Sequence, residues 1–79
     1  MKYYEAIGRR LQEILKDNNL SIYELHVRSQ VPKSTVYRTV NAKNIGVTFE
    51  TINLLCKGLD MDIKEFFASD LFSSKYIDK

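Results

Sequence analysis

An all-α fold, a compact bundle of five short helices, is what this 79-residue chain predicts, and three observations lead there. Apolar residues recur at three- and four-residue spacing in successive segments, the period of one buried helical stripe. Hydroxyl, amide and carboxylate residues stand between those segments at positions suited to capping helices. No segment alternates apolar with polar residues as a half-buried strand would.

Tyr4, Ile7, Leu11, Ile14 and Leu15 make the first stripe, with Arg9, Arg10, Glu13 and Lys16 outside it, so a first helix is expected over about residues 3–17. Asn18 and Asn19 end it, because asparagine tolerates left-handed backbone geometry. Ser21 and Glu24 have capping-box spacing and start a second helix. Pro32, the only proline, disfavours helical geometry at Val31 and suits the first turn of a third helix, which leaves the second only about eight residues. Val36 and Val40 lie one turn apart on the inward face of that third helix, and Ser34, Tyr37, Arg38 and Asn41 form the opposite stripe, with Lys33 at its start.

Residues 42–47 read as a loop around Gly46. Thr48 then caps a fourth helix whose Phe49, Ile52, Leu55, Cys56 and Leu59 share one face. Asp62 and Glu65 repeat the capping-box spacing ahead of Phe66 and Phe67 and predict a short fifth helix. Gly8, inside the first helix, reads as a point of close packing.

A chain of this length forms one domain and buries roughly 60–65% of its unfolded surface. With 44% hydrophobic and 28% charged residues it is too apolar to be disordered. No repeat or linker divides it, so residues 1–68 are expected as the domain and 69–79 as a C-terminal tail. Leu71, Phe72, Tyr76 and Ile77 are too apolar for a free tail and are expected to pack on Tyr3 and Tyr4 or, the favoured reading, on a second copy of the chain.

Catalytic and metal chemistry have little to stand on. Cys56 is the only cysteine and His26 the only histidine, neither with partners at ligand spacing, and no glycine-rich phosphate loop or paired carboxylates occur. Cys56 is expected as a buried thiol and His26 as a packing residue near a helix junction. The five tyrosines are expected to be partly buried with wet hydroxyls, Tyr37 alone on a reading face and the others structural. Neither a cofactor nor a small-molecule effector is called for. The chain has no apolar run near ~18 residues and no signal-peptide stretch at its start, so a cytoplasmic protein is expected.

Net charge is only +2, but residues 1–43 hold eight Lys/Arg against four Asp/Glu, whereas residues 44–79 hold four against six. The first half is the candidate contact surface. Lys33, Arg38 and Lys43 occur in it with no acid between them, a pattern that attracts phosphates. Two short helices joined by a tight turn, the second displaying Lys, Ser, Tyr, Arg and Asn, fit the major groove of B-DNA, which admits one helix.

The segment SIYELHVRSQVPKSTVYRTVNAKN, followed by TFETINLLCKGLDMDIKEFF, resembles the phage repressor and Cro-like (XRE-type) helix-turn-helix transcriptional regulators of bacteria and their mobile elements. The resemblance covers nearly the whole chain and implies a lambda-repressor-like fold with a recognition helix over about residues 33–41. Carried over by position, it places Lys33, Ser34, Tyr37 and Arg38 at bases, Arg38 first among them. It places Ser21, the Ile22 amide, Thr35, Asn41, Lys43 and Asn44 at phosphates, and Leu25, Val31, Val36, Ile52 and Leu55 in the core. It further implies a transcriptional repressor, a homodimer and an approximately palindromic double-stranded operator. The alternative is a protein-interaction module of the same fold, such as an antitoxin or the partner of another regulator. The chain departs from the pattern at His26, where a small residue is usual, at Gln30, Ala42 and Asp60, where glycine is frequent, and at Leu15, where a basic residue is frequent.

Overall fold

The computed structural model describes residues 1–78. Among them the chain forms α1 (Tyr3–Asp17), α2 (Ile22–Ser29), α3 (Lys33–Val40), α4 (Phe49–Gly58) and α5 (Ile63–Phe67), then a 3-10 turn at Asp70–Phe72, and no strand. All five expected helices are present. None is long and apolar enough to cross a membrane. Lys79, the last residue of the expected tail, lies outside the described residues.

One apolar core joins every helix, through Ile7, Leu11, Ile14 and Leu15 of α1, Leu25 of α2, Val36 and Val40 of α3, Ile52, Leu55 and Cys56 of α4, and Phe66 of α5. Leu25, Val31, Val36, Ile52 and Leu55 are all buried, as the resemblance implied. Phe66 is fully enclosed, and burial of such a side chain contributes about 1.5–3 kcal/mol. Burial also pushes the Cys56 thiol up to about 11, against a smaller opposing effect of Arg10, so the group stays protonated and unreactive near neutral pH. Phe49 departs from expectation: it is 63% exposed. As the first residue of α4 it stands outside the core, and the inward face begins at Ile52.

Two glycines set how closely the helices approach. A Cβ on Gly8 of α1 would lie 3.0 Å from the Val40 carbonyl oxygen, and one on Gly58 of α4 would lie 2.8 Å from the Ser29 backbone nitrogen. The ends of α3 and α2 are thus held against α1 and α4 at distances that leave no room for a side chain.

The helix ends follow a common plan. After α1, α3 and α4 a left-handed residue, Asn19, Ala42 or Asp60, turns the chain. The paired bonds of a Schellman ending accompany each, for example Lys43 N–H to Arg38 O at 2.8 Å with Ala42 N–H to Thr39 O at 3.3 Å. At residues 42 and 60, where the resemblance leads one to expect glycine, the backbone keeps the geometry without it.

At the start of α5 the expected capping box does not form, for Asp62 makes no side-chain cap bond. The other end of α5 is held by Arg10, whose Nε donates to Phe66 O at 2.7 Å and Nη2 to Glu65 O at 2.9 Å. The tail, expected on Tyr3 and Tyr4 or on a second copy, meets α1 and the aromatic rings of α5. The 3-10 turn packs on α1, and Phe72 lies 4.7 Å from Phe67 and 5.9 Å from Phe66 between ring centroids. The Met1 ammonium donates to Tyr76 O, and Asp78 N–H to Met1 O at 2.9 Å, closing the tail onto the N-terminus.

Candidate nucleic-acid interface

Residues 21–44 form two short helices meeting at a three-residue joint. The first opens on the predicted capping box, with Glu24 N–H donating to Ser21 Oγ at 3.0 Å and Ser21 N–H to Glu24 Oε1 at 3.0 Å. Ser21 Oγ accepts there, so its own O–H is free to donate outward. The Ile22 and Tyr23 amides, in the first turn of α2, have no intrahelical partner to donate to.

At the joint Gln30 adopts φ 65°. Side chains then hold Val31 by both of its backbone polar groups. His26 Nδ1 donates to Val31 O at 2.7 Å, and Val31 N–H donates to buried Ser29 Oγ at 3.2 Å. With a carbonyl as its partner, Nδ1 carries the proton. His26, in place of the usual small residue, therefore spans the joint as a strut. Pro32 stands at the N-cap of α3, with φ −52° and no side-chain bond to the helix.

The start of α3 is consequently uncapped, and its first turn holds no acidic residue. Unpaired amides and the helix dipole give such an end a partial positive charge. No Asp or Glu occurs from residue 25 to residue 49. Lys33, Ser34, Tyr37, Arg38 and Asn41 are exposed along one face, while Val36, Thr39 and Val40 are buried on the other.

Beyond α3 the loop is tied back to it. Thr39 Oγ1 donates to Thr35 O at 2.6 Å and accepts from Asn44 Nδ2 at 3.0 Å. Asn41 Nδ2 donates to Tyr37 O at 2.8 Å, and Gln12 Nε2 of α1 donates to Val40 O at 2.7 Å. Lys43 is exposed beside these anchored residues.

A family model for the Cro/C1-type HTH DNA-binding domain matches residues 10–69. The chain belongs to that family. Comparison with the curated proteins and with the solved structures gave no match. Membership of the Cro/C1-type HTH DNA-binding domain supports binding of double-stranded DNA and a role in transcription regulation.

Each site residue expected from the sequence falls on or beside this unit. Lys33, Ser34, Tyr37 and Arg38 share the outer face of α3. Ser21 and Ile22 lie at the start of α2, and Asn41, Lys43 and Asn44 at the far end of α3. Thr35 is half-buried, and Asn44 turns one amide hydrogen inward to Thr39.

Not every cation of the basic half lies along α3. Arg10 is spent on α5, and Arg9 lies in a shallow groove with Asp70 and Leu71 of the tail, which leaves Lys33, Arg38 and Lys43 as the cations that line up along α3 and its loop. Tyr23 corrects another expectation. It is 59% exposed, and the Lys33 ammonium lies 5.5 Å from its ring centroid. Thr39 and Gln12, unremarkable in sequence, act by holding α3 and its loop in place. A threonine on the inward face of a helix was the one available signal for the first, and Gln12 gave none.

Proposed function

We propose that the chain is a transcriptional repressor that lays α3 in the major groove and reads bases with Lys33, Ser34, Tyr37 and Arg38. The observation that carries this reading is an uncapped, acid-free N-terminus continuous with an exposed stripe of hydrogen-bonding side chains. Arg38 has the fork that suits guanine O6 and N7. Ser21, the Ile22 amide and Thr35 hold one stretch of phosphates, and Asn41, Lys43 and Asn44 another. Two clamps on either side of the reading helix fix its register.

One module spans only a few base pairs. A homodimer on an approximate palindrome, with half-sites about 34 Å apart, therefore completes the operator. The tail offers Tyr76 to a second copy, and Ile45 and Phe49, at 72% and 63% exposure the most exposed large apolar side chains among the described residues, offer a contact just after α3. Repression follows from occupying the operator, in the cytoplasm of a bacterial cell.

Two substitutions test the division of labour. Arg38→Ala costs about 1–3 kcal/mol on the selected operator and relaxes preference at one base pair, whereas Lys43→Ala weakens all sequences alike and lowers the salt slope by about one unit. Equal losses on operator and random duplex for Arg38→Ala contradict the assignment.

A further inference from the structure

We infer that Tyr23 is a specificity-determining residue of the DNA-reading surface: its ring holds the Lys33 ammonium at the start of α3, so that Lys33 addresses a base edge instead of the nearest phosphate. This rests on the DNA-reading role proposed above.

Tyr23 presents an exposed aromatic ring that packs against no core. It lies in the first turn of α2, and its outward ring has the Lys33 ammonium 5.5 Å from the centroid. The ring is itself located. Its centroid is 5.9 Å from that of His26, edge to face at 63°, and His26 is bonded to Val31 O across the joint at 2.7 Å. A continuous path, Val31 to His26 to Tyr23 to Lys33, thus runs from the joint to the side chain at the head of α3. The two helices are coupled at the point where the second meets its target.

Lysine needs such help more than arginine does. Its ammonium is a compact point charge on a flexible stem, satisfied by any anion and without a fork that prefers guanine. The free Ile22 and Tyr23 amides favour a phosphate close by, which would draw an unrestrained Lys33 towards the backbone and away from the groove. The face of a tyrosine ring attracts the cation without neutralising it. Lys33 therefore stays available to guanine O6 and N7 at the position it overhangs.

The test uses the full chain and duplexes selected from a random pool. Tyr23→Leu is expected to lower discrimination at one base pair by about two- to five-fold, with affinity for random duplex retained. Tyr23→Phe keeps the ring face and is expected to keep the discrimination. Lys33→Met is expected to abolish preference at that same base pair and to make a further Tyr23→Leu silent there. Thermal unfolding of each variant separates these effects from loss of fold, and Tyr23→Phe carries the test should Tyr23→Leu unfold.

Undiminished discrimination in a folded Tyr23→Leu overturns the inference, as does a loss of discrimination in Tyr23→Phe equal to that in Tyr23→Leu, which would assign the effect to the hydroxyl. A wild-type chain that selects no sequence refutes the DNA-reading role, and this inference with it. A wild-type chain that selects a sequence whose preference ignores Tyr23 refutes this inference alone.

Discussion

The joint between α2 and α3 and the joint between α4 and α5 turn the chain in similar ways and are held by different means. Gln30 at φ 65° serves the first and Asp60 at φ 55° the second. After α4 the backbone suffices: Met61 N–H donates to Cys56 O at 3.0 Å and Asp60 N–H to Lys57 O at 3.1 Å, with no side chain capping α5. After α2 there is one such bond, Gln30 N–H to His26 O at 3.0 Å, and three side chains take up the rest. His26 reaches Val31 O, Ser29 receives Val31 N–H, and Gln30 Nε2 donates to Val27 O at 3.1 Å.

The difference reflects what lies beyond each joint. α5 is located by Phe66, which is fully buried, and by the two bonds from Arg10. Beyond the contact of Lys33 with the Tyr23 ring, α3 turns its outer face to solvent, so its angle depends on the joint, on Gln12 at its end and on its buried side. A helix that must meet an external target needs its entrance held.

The largest effect on this contrast should come from Gly58→Ala. Its methyl would lie 2.8–2.9 Å from Ser29, against backbone that cannot swing aside, at the residue before Gln30. Overpacking of this kind costs about 1–3 kcal/mol in urea unfolding, and the displaced joint should also lose operator affinity. Unchanged stability would mean that α2 and α4 part easily at this contact and that the joint does not depend on it.

His26→Ala comes next. Loss of the strut is expected to cost about 0.5–1.5 kcal/mol and to reduce the ratio of operator to random-duplex affinity. A variant equally destabilised elsewhere in the core, for example Ile52→Val, should leave that ratio alone.

The smallest effect concerns the left-handed residues. Asp60→Gly relieves backbone strain and is expected to stabilise by up to about 1 kcal/mol. Gln30→Gly forfeits the bond to Val27 O and should gain less. A gain at residue 30 as large as that at residue 60 would show that the Gln30 side chain contributes nothing to the joint.

Much of this was legible in the sequence, and particular residues show why. Ser21 with Glu24 fixed the start of α2, and Pro32 its latest end, because capping and proline geometry act locally. The stripe Ser34, Tyr37, Arg38, Asn41 gave the outer face of α3 because three- and four-residue spacing is a property of the helix itself. Asp62 misled because spacing alone does not reveal whether a side chain turns back to its own helix. The apolar character of Phe49 did not disclose where the core ends. Tyr23 was missed because its partner, Lys33, is ten residues away, across a joint whose geometry no local rule supplies. Summed charge likewise did not reveal that Arg10 turns to α5, since only tertiary structure brings the two together.

The most direct test of the central claim is selection of bound sequences from a random duplex pool at moderate salt, with affinities for selected and scrambled duplexes then measured across a salt series. The expected result is enrichment of an approximate palindrome whose half-sites are one helical turn apart, and a selected-to-scrambled ratio that Arg38→Ala reduces. Absence of any enriched sequence, with all binding lost near physiological salt, would contradict it.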